Sequence, residues 1–218
     1  MRFIYCGGKG LKAPPCSLQQ GKGGLFFEIL GGLFLRPPRI KKLKEDEKMT
    51  HVSEVENYAM LDFEASSLSL ESWPIEVGLS WLEGGETQTW SSLIRPAPEW
   101  GMSDWSAQSA AVHGIAIEAL LDAPTALAVV DNLFNNLAGK TMLSDAPDFE
   151  QRWLARLLKA AERTSAPSIM DYHHISFHLF SGLALDMLYE SLERNIAPHR
   201  AGPDSARLAK AWAKARHY

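Results

Sequence analysis

Tyr58-Ala59-Met60-Leu61-Asp62-Phe63-Glu64 is an apolar run that ends in two acids. Read as a strand, its period of two puts Asp62 and Glu64 on one face at the strand end and turns Phe63 into a core on the other. Two carboxylates so placed suit a hard divalent cation, Mg2+ or Mn2+, which takes oxygen ligands and tolerates few protein donors. Acidic pairs at strand ends are common, so the pair alone assigns no function. The small, polar Ala65-Ser66-Ser67 follows it.

Pro74-Ile75-Glu76-Val77-Gly78-Leu79-Ser80-Trp81-Leu82 reads as a second strand, Gly84-Gly85 as a turn, and residues 87–94 as a third strand rich in β-branched and aromatic side chains. Connections this short imply an antiparallel meander. The texture then becomes helical over residues 106–112, 117–121 and 124–137, with Pro124 suited to a first helical turn after Asp122. Residues 140–144 form a short buried strand, 149–161 a helix and 168–170 another short strand. Helices follow, the last over 205–215. The order βββ, α, β, α, β, α predicts an α/β fold: a mixed sheet, antiparallel in its first three strands and then parallel, with helices on its faces. No internal repeat interrupts it.

The 218 residues divide unevenly in charge. Residues 1–48 hold ten Lys/Arg against four Asp/Glu, a net +6, so the chain total of −4 leaves −10 for residues 49–218. The first 48 residues show no sustained period and end in Lys41-Lys42-Leu43-Lys44-Glu45-Asp46-Glu47-Lys48. They read as a disordered tail. The purine-rich codons behind that charge run also fit an upstream stretch translated ahead of a start at Met49. With 46% hydrophobic residues and seven tryptophans, the remainder has the material for a folded domain over 49–218. Both cysteines, Cys6 and Cys16, lie in the tail, so this domain has no disulfide framework, and a reducing cytoplasm is the expected setting. The apolar stretch 23–35 is too short to cross a bilayer, so no membrane partner is expected.

A second constellation is His199-Arg200-Ala201-Gly202-Pro203-Asp204, directly before the last predicted helix. A loop histidine and an aspartate in the first helical turn can converge on one point, and the helix dipole favours the acid there. By itself the motif reads equally as a capping acid beside a solvated histidine. His173, His174 and His178 include an i, i+4 pair of the kind zinc sites use, but Ile175-Ser176-Phe177 between them reads as an ordinary amphipathic helix. The tryptophans are mostly packing residues. Trp73, in the loop after the first acidic motif, is the one expected to stack a nucleobase. No glycine-rich phosphate loop and no Gly-x-Ser-x-Gly elbow occurs, which removes support for nucleotide triphosphate hydrolysis and serine hydrolase chemistry.

Taken in order, these motifs resemble the DEDDh 3′–5′ exonucleases, the DnaQ-like group of the RNase H-like superfamily that includes polymerase proofreading subunits, oligoribonuclease and RNase T. Asp62-Phe63-Glu64 is similar to that family's first motif, and His199 with Asp204 to its third, a histidine four intervening residues before an aspartate. Ile75-Glu76-Val77-Gly78, His113-Gly114-Ile115 and Met170-Asp171 match intermediate landmarks. The resemblance spans about residues 57 to 216 and implies an RNase H-like fold.

The second motif departs from the family pattern. Asp145-Ala146-Pro147-Asp148-Phe149-Glu150-Gln151-Arg152-Trp153 aligns Glu150 with the family's aspartate through the Phe-acid pair and the tryptophan spacing. Asp145 is the alternative ligand and Asp148 the third. A carboxylate displaced by one methylene can cost about a hundredfold in rate.

The resemblance implies that Asp62, Glu64, Asp204 and Glu150 hold two Mg2+ or Mn2+ ions roughly 4 Å apart, one activating water and the other stabilising the leaving 3′-oxygen. It implies His199 as the general base, with nucleoside 5′-monophosphates as product. The net charge of −10 on the domain argues against wrapping long duplexes. A single-stranded or short DNA or RNA 3′ end is the expected partner. A weakened exonuclease-fold module that binds nucleic acid or protein without hydrolysis is the second expectation, motivated by Glu150.

Overall fold

The strand carrying the first acidic motif is the central one of a five-stranded sheet in the computed structural model, which describes residues 54–218, all within the unit Arg39–Tyr218. The expectations for residues 1–48 lie outside the described residues. The strands are β1 (Tyr58–Ala65), β2 (Pro74–Glu83), β3 (Glu86–Leu93), β4 (Thr141–Ser144) and β5 (Met170–Asp171), in spatial order β3-β2-β1-β4-β5. The β1–β2 and β2–β3 pairs are antiparallel, and the β1–β4 and β4–β5 pairs parallel. This is the expected mixed sheet.

Among the described residues six α-helices pack around it: α1 (Ala107–His113), α2 (Ala126–Leu137), α3 (Pro147–Ala160), α4 (Tyr172–Leu179), α5 (Gly182–Arg194) and α6 (Ala201–Ala215). Alternation along β1 divides the interior in two. Ala59, Leu61 and Phe63 join Ile75, Val77 and Leu79 of β2 in a core covered by Val129, Val130 and Leu133 of α2 and Trp153, Leu154 and Leu157 of α3. Met60 faces the other way, toward Leu188 of α5 and Leu208, Ala209 and Trp212 of α6. The same alternation delivers Asp62 and Glu64 to the α6 side, while Phe63 is buried against the first core.

Three sequence expectations shift. Pro124 precedes the helix: Thr125 is the N-cap of α2, its hydroxyl accepting the Ala128 N–H, as a β-hydroxyl residue at a helix start does. Residues 117–121 make only the 3-10 turn Ile117–Leu120. The last helix begins at Ala201, four residues earlier than its periodicity suggests, and runs through Gly202 and Pro203. A proline is tolerated in a first helical turn because its missing N–H needs no partner there. None of the described helices is long and apolar enough to cross a membrane.

Candidate active site

The site begins with the β1–β2 register. Asp62 lies opposite Gly78 and Glu64 opposite Glu76, so these residues share the sheet face toward α6. On that face β2 offers little bulk. A Cβ on Gly78 would overlap the carbonyl group of Ala201, and one on Gly202 would meet the Ser91 side chain at 2.9 Å. Ser80 Oγ lies 2.9 Å from Ser205 Oγ. Helix α6 therefore starts directly on the sheet and brings Asp204 to the acids of β1. Ligand oxygens of Asp62, Glu64 and Asp204 all lie within 4.8 Å of one another.

Glu150 arrives from the opposite layer. It sits in the first turn of α3 and is 2% exposed, close to the backbone N–H of Phe63, the residue between Asp62 and Glu64, which favours its charged form. Asp145, just past the end of β4, and Asp148 are exposed. Asp145 still acts electrostatically on both Asp62 and Glu150.

Burial and mutual repulsion set the charge state of the cluster. Burial, then Glu64, Asp204, Asp145 and Glu76, push the Asp62 carboxyl well above its ordinary range. Glu64 is raised to about 7 by burial and by Asp204 and Glu76, with Arg200 acting in the opposite direction. Glu150 is raised well above its usual value by burial, Asp62, Asp145 and Glu64. Burial also raises Asp204, against the lowering effect of backbone N–H groups of Arg200 and His199 and of the His199 side chain. Glu150 Oε2 and Asp204 Oδ1 are buried without a hydrogen-bond partner. Converging carboxylates, raised pKa values and unpaired buried oxygens fit a hard divalent cation.

His199 is exposed on the loop before α6, with φ at 56°, in the left-handed region. Asp204 Oδ2 accepts the Arg200 N–H at 3.1 Å, which ties this loop back to the helix. The structure thus brings Asp62, Glu64 and Asp204 together, puts Glu150 beside them, and sets His199 on the adjoining loop.

One expected role, that of Trp73, resolves differently. Trp73 is fully buried, stacks on Trp100 at 5.7 Å between ring centroids, and donates its indole N–H to the Gly101 carbonyl, so it is a core residue closed to nucleobases. Of the three histidines of α4, His173 stacks on Tyr189 with its Nδ1 3.0 Å from the Tyr189 hydroxyl, while His174 and His178 are exposed, in keeping with an ordinary amphipathic helix.

Sequence reasoning missed two features. Glu76, read only as part of a strand landmark, is 3% exposed and binds Arg200 through both carboxylate oxygens, at 2.9 and 2.7 Å. The legible signal was an acid flanked by Ile75 and Val77 inside a strand, a place where burial permits a carboxylate only with a partner. Asp104 is the other. It accepts the hydroxyls of Ser66, Ser67 and Ser69 at 3.1, 2.7 and 2.6 Å, fastening the segment that leaves β1.

No model of a protein family and no curated protein matches the sequence. Solved structures do match in fold. The nuclease domain of 3′hExo, a DEDDh family member, bound to rAMP aligns with a TM-score of 0.55 at 18% identity, over 72% of this chain and 89% of that one. A 3′-exonuclease structure concerned with 3′-end recognition of the histone mRNA stem-loop aligns at 0.54 and 17%, over 72% and 79%. E. coli exonuclease I in complex with a dA16 oligonucleotide aligns at 0.52 and 11%, over 72% of this chain and 40% of that one. With the strand order, the two helical layers and the acids at the sheet centre, these likenesses establish that the chain has the RNase H-like fold of the DEDDh 3′-exonucleases.

Proposed function

We propose that this protein is a metal-dependent 3′–5′ exonuclease that releases nucleoside 5′-monophosphates from single-stranded or short DNA or RNA. The observation that carries the reading is the convergence of Asp62, Glu64 and Asp204 within 4.8 Å, on a fold whose solved relatives include structures bound to rAMP and to dA16. The exonuclease domain is assigned to residues 49–218, with 1–48 as a tail. The absence of cysteine from that domain suits the reducing cytoplasm.

Asp62, Glu64, Asp204 and Glu150 would hold the ions, two Mg2+ or Mn2+. Glu150 is chosen over Asp145 because it is buried with an unpaired oxygen, whereas Asp145 is exposed. Bound there, the ions supply Lewis-acid stabilisation of charge on the attacking and leaving oxygens. The protein's own groups do the rest. His199 takes a proton from the attacking water, the water oxygen bonds to phosphorus, and the bond from phosphorus to the 3′-oxygen breaks, the oxygen leaving with the bonding pair and taking up a proton from solvent. An acidic domain gripping only a chain end needs few phosphate contacts, in accord with its net charge of −10.

A second reading, a weakened module that binds without hydrolysis, draws on one feature. Glu150 stands where the family pattern has aspartate. Mononucleotide release from a uniformly labelled single-stranded oligonucleotide separates the two. The exonuclease reading expects release with Mn2+ and none in EDTA or in Asp62→Ala. Release that persists in either control overturns it, and no release from any DNA or RNA supports the second reading.

A further inference from the structure

Among the described residues the buried carboxylates are Glu76 and Glu150, and Glu76 lies outside the acid cluster. Both of its oxygens are paired: it accepts from Arg200 Nε and Nη2 and, at 3.0 Å, from the Ala201 N–H, the first of α6. Glu76 is buried while the Arg200 side chain is 43% exposed, and a pair that desolvates one carboxylate this far gains little over apolar packing, so its presence calls for a positional explanation. Arg200 stands between His199 and the start of α6. His199 holds a left-handed backbone, which costs a residue with a side chain about 1 kcal/mol or more and persists only where its surroundings enforce it. Asp204 restrains the loop from the helix side through the backbone N–H of Arg200. Glu76 restrains it from the sheet side, through the guanidinium.

We propose that Glu76 is a positioning residue: through Arg200 it holds His199 in its left-handed conformation and so fixes the histidine beside the acid cluster, without itself serving the metal. A planar guanidinium gripped at two points transmits direction as well as charge, which a single-point contact would not. The inference rests on the exonuclease reading for the role of His199, while the placement of His199 can be measured without any activity.

Arg200→Met alone strands a buried carboxylate and endangers the fold. The informative variant is Glu76→Gln with Arg200→Met, which removes both charges and keeps an amide oxygen to accept the Ala201 N–H. Three measurements on the full chain decide the matter: the backbone 15N order parameter of His199 in EDTA, Mn2+ affinity by calorimetry, and kcat with KM on a single-stranded oligonucleotide. The proposal expects the His199 order parameter to fall from about 0.85 to below about 0.6. It expects Mn2+ affinity to stay within about threefold, and kcat to drop at least about tenfold with KM little changed. A His199 amide that stays rigid overturns it, as does a Mn2+ affinity that falls in step with kcat, which would place the pair's action on the acids. If the wild-type protein releases no nucleotide, the exonuclease reading fails, and the order parameter still decides whether Glu76 and Arg200 hold His199.

Discussion

Gly78 of β2 and Ala201 of α6 meet backbone to backbone, with no room for a single methyl group between them. That contact seats the start of α6 on the sheet and carries Asp204 to Asp62 and Glu64. Gly78→Ala must push the helix away or strain the strand. Overpacking of this sort costs about 1–3 kcal/mol, and a melting curve should move down by about 2–4 °C for each kcal/mol in a domain of this size. A displacement of about 1 Å at Asp204 should also lower exonuclease rate about a hundredfold. A Gly78→Ala protein with wild-type melting and rate would show that α6 is not set by this contact.

The raised carboxyl of Glu64 makes stability depend on pH. Its native pKa of about 7 exceeds its ordinary 4.5, so the native state binds more protons than the unfolded state between those values. Stability from this group is therefore full below about pH 4.5 and is lost as pH rises through about 7. Melting in EDTA should fall across pH 5 to 7.5. Mn2+ should restore it at pH 7.5 and do little at pH 5, where protons compete for the same oxygens. Thermal scans with and without Mn2+ check both halves of the statement.

Glu150→Gln tests which acid completes the cluster. The amide keeps the shape and removes a buried group whose ionisation beside Asp62 and Glu64 is costly, so melting in EDTA at high pH should rise. Catalysis should fall at least about a hundredfold. Asp145→Asn, at an exposed position, should change rate by less than about fivefold. The reverse order of effects would assign the second motif to Asp145.

Asp104→Ala removes the common acceptor of three serines, two of which, Ser66 and Ser67, are buried. Burial works against the Asp104 charge, but hydrogen bonds from Ser69, Ser67 and Ser66, and the proximity of Arg156, outweigh it and hold its carboxyl below the usual range. Losing the acceptor should cost about 1–3 kcal/mol, read by urea denaturation at pH 7. The same variant measured at pH 3 should differ less from wild type, because protonation of Asp104 weakens the same bonds.

Much of this site is legible in the sequence. Local alternation placed Asp62 and Glu64 on one face and Phe63 on the other, because a strand's period is a property of the covalent chain. The order of strands and helices, and the six-residue span from His199 to Asp204, were likewise local patterns. Trp73 was misread because an indole in a loop after β1 looks available, and only the arrival of Trp100 and the Gly101 carbonyl from far along the chain shows it enclosed. The early start of α6 escaped for a similar reason: Gly202 and Pro203 argue against a helix, and the Glu76 carboxylate that accepts the Ala201 N–H lies 125 residues away. Sequence by itself determined the identity and spacing of the acids and the fold class. Tertiary structure alone decided that Glu150 is buried and Asp145 exposed, and that Glu76 grips Arg200, because burial and ion pairing depend on which distant surfaces meet and not on the neighbours a residue has along the chain.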